Sequence, residues 1–285
     1  MTTLPPAGMP EISLHHLTML KADPLSLVDA AAEGGFDYCG IRIVPPAPTD
    51  VLVDVVGNPA LVREIDQRLR SRNVRLLDIE AVWLRPETDV AALVPALEVG
   101  CGLGARQVLA VGFDADLGRL LDNFCQLCLA AARLQMNVAL EFITYCTIGS
   151  LEQAHWLVQR SEQPNARLLI DALQFFRAGG RTEQLAGIDR HLFPYMQLCD
   201  GPLIGPVSVD ERRVEARTAR LLPGEGELPL ASLLRALPAG IPVSVEAPTL
   251  RLAALPFNEQ ARIVGDATRR FFAHLSDPHQ PLETP

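Results

Sequence analysis

Residues 137–143 read NVALEFI, an apolar run that carries no charge until Glu141. A short run of this kind, bounded by polar residues, predicts a strand buried on both faces. A carboxylate at the end of such a strand is costly to bury unless it is paired or coordinates a metal. The pattern recurs downstream. RLLID at 167–171, YMQLCD at 195–200 and PVSVE at 242–246 each set an apolar strand before an acid, and the second of these also carries an amide, Gln197. These four strand ends are read as one site.

Working outward, the same strand grammar alternates with helical patterns along the chain. Residues 11–19 read as the first strand and its end, 36–44 as the second, 74–84 as the third and 107–111 as the fourth. Residues 137–143, 166–171, 193–200 and 241–246 supply the other four. Asp23-Pro24 opens the first helix, which stops at Gly34-Gly35, and Asn58-Pro59 caps the second. Further helices are expected at 88–103, 114–135, from Ser150, at 181–187, 229–237 and 259–275, with a long loop at 201–227. Eight such units in 285 residues favour a single closed (β/α)8 TIM barrel, which typically needs about 250 residues, over an open doubly wound sheet. The first loop lacks G-x-G-x-x-G, which also weakens the dinucleotide-binding alternative. The barrel is expected over 11–275, between an N-terminal arm at 1–10 and a proline-rich tail at 276–285.

Composition narrows the function classes. Hydrophobic residues make up 48% of the chain and mean hydropathy is +0.17, which argues against disorder. A net charge of -9 and a pI of about 5.2 give no basic nucleic-acid surface. No run of 18 or more apolar residues predicts a membrane span, and the N-terminus lacks the basic and apolar regions of a signal peptide. The six cysteines are therefore expected as reduced thiols in a cytoplasmic protein. Cys125 and Cys128 form a C-x-x-C inside a helical pattern, with no second pair at metal-binding spacing, so they are read as helix packing.

In a barrel of this type the active site lies at the C-terminal ends of the strands. Glu141, Asp171 and Glu246 fall there on strands five, six and eight, with Gln197 on strand seven. Three carboxylates and an amide converging on the axis would repel one another without a cation, and oxygen donors suit Mg²⁺ or Mn²⁺ better than Zn²⁺. The competing reading is that some of these acids cap the next helix or pair with arginine. Earlier strands supply the other side of the pocket. His15 and His16 alternate faces on strand one, so only one can point inward, and His15 is taken as that one. Arg42 on strand two and Glu80 on strand three can face each other as an ion pair on the substrate side, and Trp83 provides an apolar wall. Phe142 and Phe175 are read as core.

On these residues the chain resembles the sugar phosphate isomerase/epimerase superfamily, whose fold is like that of xylose isomerase. The resemblance covers nearly the whole chain and rests chiefly on strands five to eight. It implies one divalent metal held by Glu141, Asp171, Gln197 and Glu246, where most members have Glu, Asp, His and Glu. Glutamine at this position occurs in some members, including some 3-dehydroshikimate dehydratases. Members often carry Asp-x-x-His where this chain has Asp171 and Gln174, which leaves Gln174 as a substrate-orienting amide. RLLPGEGELP at 220–229 resembles the P-G-x-G loop that follows strand seven in relatives, and Arg217 or Arg220 beside it can reach an anionic or hydroxylated substrate. Homodimers are common for barrels of this kind.

The chemistry that follows is proton abstraction next to a polarised carbonyl, with Glu141 and Glu246 as general base and acid. The expected function is a divalent-metal-dependent isomerase or epimerase of a hydroxylated carbonyl compound, a sugar or a cyclic polyol ketone. A dehydratase of the 3-dehydroshikimate or inosose type is the alternative on the same scaffold. The glutamines at 197 and 174 argue against a routine sugar epimerase and make a ring-shaped substrate plausible. A related endonuclease acting at abasic sites needs more histidines and a basic groove than this chain offers. From a different class, a catalytically silent barrel that binds a ligand or a partner protein gains weight if Gln197 has cost the metal.

Overall fold

A computed structural model describes residues 9–47 and 49–276. The arm expected at 1–10 and the tail at 276–285 thus lie almost wholly outside the described residues. The chain runs β1 Ile12–Leu14, α1 Pro24–Glu33, β2 Tyr38–Arg42, α2 Pro59–Arg72, β3 Arg75–Leu84, α3 Val90–Gly102, β4 Gln107–Gly112 and α4 Leu117–Ala132. It continues with β5 Asn137–Glu141, α5 Leu151–Ser161, β6 Ala166–Asp171, α6 Ala172–Arg177, β7 Met196–Leu198, α7 Val209–Thr218, α8 Leu230–Ala236, β8 Val243–Val245 and α9 Phe257–Ser276. The eight strands form a closed barrel in sequence order, every neighbouring pair parallel, with β1 sealed onto β8 by Ile12 against Val243. It is a single-domain TIM barrel. Among the described residues no helix is long and apolar enough to cross a membrane.

Local chemistry sets the helix starts. The Asp23 carboxylate accepts from the amides of Leu25 and Ser26, and Pro24 fills a position whose N–H needs no partner. Asn58 with Pro59 does the same for α2, and Ser150 caps α5. The strands divide the core in two. One layer lies between strands and helices, around Leu27, Leu97, Phe124, Leu157 and Phe175. A smaller layer fills the barrel itself with Leu77, Leu109, Ala139, Leu169 and Tyr195. Phe142 and Phe175 both lie in the outer layer. Cys125 and Cys128 sit on α4 as free thiols, Cys128 buried and Cys125 donating to the Ser161 carbonyl.

Three expectations about elements need correction. Strand one stops at Leu14 and passes into a 3-10 turn at His16–Met19, so strict alternation does not govern His15 and His16 and both are buried. The loop expected at 201–227 contains α7, which the box formed by Ser208 and Glu211 announces: each side chain bonds the other's backbone amide. The helix expected at 181–187 is a 3-10 turn, and the α-helix in this crossover is α6, beginning directly after Asp171.

Candidate metal centre and active site

The C-terminal ends of β5, β6 and β8 bring together Glu141, Asp171 and Glu246. One ligand atom from each lies within 4.8 Å of the others, and all three residues are buried. The register explains the convergence. Asp171 pairs with Gln197 across β6 and β7, and Gln197 pairs with Ser244 two residues before Glu246. Desolvation raises the proton affinity of Glu141 well above the ordinary value, reinforced by repulsion from Glu246 and Asp171. Burial likewise pushes Glu246 up to about 8, against the attraction of Arg220.

Two of these acids also do what the competing reading requires. Asp171 Oδ1 caps α6 by accepting from the Gln174 amide at 2.7 Å, and its Oδ2 receives Arg220 Nη1 at 2.5 Å. Arg220 Nη2 reaches Glu246 Oε1 at 3.3 Å, while Nη1 and Nε also donate to Cys199 Sγ and the Ala216 carbonyl. Arg220 is only 2% exposed and is the protein's own cation in the acid cluster. Its position depends on α7, which a bidentate pair from Arg177 to Glu215 ties to α6. Asp200, two residues past the end of β7, stands apart: its carboxylate accepts from Gly201, Gly224 and Leu228 and so holds the P-G-x-G loop.

Acceptors remain unsatisfied in the cluster. Gln197 Oε1 and Glu246 Oε2 are buried without a hydrogen-bond partner. Orphaned buried oxygens beside three carboxylates are what a hard divalent cation satisfies, so the donor set fits such an ion. His15 Nδ1 accepts from the Leu17 amide, which puts the ring hydrogen on Nε2, near Glu80 Oε1 at 3.3 Å and the Gln197 amide nitrogen at 3.2 Å. Glu80 Oε1 is the acceptor available to that hydrogen, so the Gln197 amide oxygen is not claimed by His15.

A cavity of about 40 Å³ opens onto this cluster. Glu141, Glu246, Gln174 and His15 line it with Arg42, Arg217 and Arg220, and Trp83, Leu109, Val111 and Ile143 form an apolar side. Glu80 lies behind Arg42, accepting from its Nη2 at 3.1 Å and from the His16 amide at 3.0 Å. Burial raises Glu80 to about 7 and drives His15 well below the usual histidine range. Gln174 turns its oxygen to the amide and hydroxyl of Thr144. A larger cavity of about 590 Å³ lies at the opposite end of the barrel, beside Tyr38, Arg75 and Pro242, and contains none of the strand-end acids.

Sequence reasoning passed over Asp78 and Tyr195, whose hydroxyl donates to Asp78 Oδ2 at 2.6 Å across the barrel interior. Burial raises Asp78 to about 6. The signal was present: Asp78 stands two residues before Glu80, and Tyr195 two before Gln197, on the same strand faces. Tyr145, which lines the cavity beside Glu141, was also missed because it lies in a loop without periodicity.

Residues 28–269 match the family of xylose isomerase-like TIM barrels. The chain belongs to this family. No curated protein sequence matches it. Several solved barrels share its fold. The IOLI protein, solved with a zinc atom, superposes with a TM-score of 0.75 at 20% identity, over 93% of this chain and 99% of that one. A xylose isomerase domain protein from Alicyclobacillus acidocaldarius gives 0.71 at 21% identity, over 93% and 99%. D-allulose 3-epimerase from Methylomonas sp., in complex with D-allulose, gives 0.66 at 16% identity, over 92% and 96%. For this xylose isomerase-like barrel, identities so low show the fold alone, and the family rests on the match over residues 28–269.

Proposed function

We propose that this barrel is a divalent-metal-dependent isomerase or epimerase that moves a proton next to the carbonyl of a hydroxylated substrate. The observation that carries the reading is the buried cluster of Glu141, Asp171 and Glu246 with unpartnered oxygens on Gln197 and Glu246. Those four residues would hold the ion, with Mn²⁺ or Mg²⁺ suited to an all-oxygen set. A bound divalent cation supplies Lewis-acid polarisation of the carbonyl, which acidifies the neighbouring C–H. The solved D-allulose 3-epimerase and zinc-containing IOLI protein are compatible precedents on the same fold.

The chain's own residues do the rest. Glu141 and Glu246 both face the cavity and both favour the proton more than an exposed glutamate does. Arg220 occupies Glu246 Oε1, so Oε2 is the atom left both to meet the ion and to take or return a proton. Return to the opposite face of the same carbon gives epimerisation, and return to the neighbouring carbon gives isomerisation. Loss of a β-hydroxyl instead gives dehydration, a second reading favoured by glutamine at both 197 and 174. His15 lies 3.9 Å from Glu246 Oε1 and stays neutral, fixing the local geometry without adding charge. Six free cysteines suit a reducing, cytoplasmic compartment.

The competing reading from another class is a barrel without catalytic metal, in which Arg220 alone neutralises the acids. Elemental analysis of the wild type beside Glu141→Ala and Asp171→Ala separates the two. About one divalent ion per chain, lost in both variants, supports the enzyme. No bound ion and no uptake of added Mn²⁺ or Mg²⁺ supports the silent barrel. In the enzyme reading, Glu246→Gln abolishes solvent proton exchange into a ketose or inosose while the fold persists; full activity in that variant overturns it.

A further inference from the structure

The cavity above the acid cluster is closed too tightly for an organic ligand. Its volume of about 40 Å³ holds a few water molecules, whereas pockets that bind small molecules run to roughly 300–1,000 Å³. Most of its wall belongs to strands or their ends, including Leu109, Val111, Glu141 and Glu246, and cannot move without disturbing the barrel. The wall made by α7 is different. Arg217 lines the cavity from its last turn, and the Arg213 guanidinium lies 5.2 Å from the ring of Tyr145, another lining residue. Only Glu215 and Ala216 of the ten residues in α7 are buried. Val209 and Val214 are exposed, as are Leu203, Ile204 and Val207 in the segment that leads into the helix. Little apolar burial holds this segment, and local opening is least costly where apolar burial is least.

The helix is stitched at one end and caught in its middle. At the C-terminal end the Leu250 amide donates to the Thr218 carbonyl at 2.9 Å and the Arg220 amide to the Pro248 carbonyl at 3.2 Å. Asp200 and Leu221 exchange two further backbone bonds there. Ahead of that end the hold falls to Arg177 of α6. Its Nε and Nη2 grip the Glu215 carboxylate at 2.8 and 2.6 Å, and Nη2 also donates to the Pro202 carbonyl at 2.9 Å. Gly205 crosses the Arg177 guanidinium so closely that a Cβ there would overlap it. Leu203 adds one exposed bond, to Glu227. We infer that residues 203–217 form a lid that swings about the stitched end to admit a ligand, and that the Arg177–Glu215 pair is its catch. This rests on the proposed function only in taking the cavity as the place where an organic ligand binds. A charge-assisted pair suits a catch, because a few directional bonds break together and re-form in one geometry.

The test places a thiol in the closed cavity by Val111→Cys in the full chain, at a wall position only 1% exposed. Its alkylation by iodoacetamide is timed in chelator and located by peptide mass. Cys39 and Cys128, both fully buried away from α7, report global unfolding in the same sample. Adding Glu215→Gln, which keeps the shape and removes the charge, is expected to speed labelling at position 111 at least about tenfold, the worth of one charge-assisted hydrogen bond. Arg177→Lys, which loses the fork and keeps the charge, is expected to speed it less. Gly205→Ala, which pushes the segment off the guanidinium, is expected to speed it without touching the pair. Cys39 and Cys128 should keep their wild-type rates throughout. Labelling at 111 that is unmoved in these variants, or that equals the rate in urea before any of them is made, overturns the lid. Labelling that rises only in step with Cys39 and Cys128 also overturns it, since the pair would then hold the whole fold. The assay uses neither metal nor substrate, so a protein shown to bind no ion would sink the proposed function and leave the lid standing.

Discussion

Replacing Arg220 with methionine keeps much of the side-chain volume and removes the one protein cation in the acid cluster. The loss can be worked from its contacts. Nη1 leaves Asp171 Oδ2, Nη2 leaves Glu246 Oε1, and the Ala216 carbonyl and Cys199 sulfur lose a donor. All of this happens at a residue 2% exposed, so water cannot substitute freely. Breaking a buried ion pair by deleting one partner costs about 3–5 kcal/mol, because the remaining charge is stranded. That is a large share of the roughly 5–15 kcal/mol by which domains are stable. A divalent cation would neutralise the same two carboxylates, and a ligand at a hundred times its Kd adds about 2.7 kcal/mol to the folded state. Urea denaturation of Arg220→Met in chelator should show a loss of about 3–5 kcal/mol against wild type, and Mn²⁺ should narrow that loss because the variant, with no arginine between the carboxylates, gains more from the ion than wild type does. A loss below about 1 kcal/mol in chelator, or one that Mn²⁺ does not narrow, would refute the idea that arginine and metal answer the same electrostatic demand.

Three further outcomes are expected. Gln197→His should retain one metal per chain and shift its preference toward Zn²⁺, since imidazole is a softer donor; loss of all metal on elemental analysis would remove position 197 from the ligand set. Stability of the chelated protein should fall as pH rises from about 4.5 toward 8. Glu80 and Glu246 are raised to about 7 and about 8, so the folded state binds more protons than the unfolded one across this window. Their contribution is complete below the ordinary glutamate value and disappears above the raised ones, and denaturation curves that stay flat or rise would contradict it. Gly40→Ala should lower the melting temperature at a cost of about 1–3 kcal/mol. A methyl group there would overlap the Asp78 and Glu80 carboxylates at the register shift between β2 and β3, and unchanged melting would show that those acids can move aside.

Much of the fold follows from local sequence. Apolar strands such as 137–141 have no polar face, so they must be covered on both sides, and helix starts such as Asp23-Pro24 are written in the residues themselves. Strand-end acids could be placed on one face of the barrel for the same reason, because parallel strands share a direction. The helix α7 escaped a reading that weighed apolar periodicity, since only Glu215 and Ala216 of its ten residues are buried; its Ser208–Glu211 box was the available clue.

Partner choice among the buried charges was decided by tertiary structure alone. Nothing local distinguishes Arg217 from Arg220, yet one is exposed at the cavity mouth and the other lies buried between Asp171 and Glu246. Nothing local says that Asp200 would turn to the backbone of a distant loop, or that Tyr195 would find Asp78 across the barrel, 117 residues away in sequence. Strand identity depends on hydrophobicity summed over neighbours in the chain. A buried charge takes whichever partner barrel closure brings within a few ångströms, and that distance exists only once β1 has met β8.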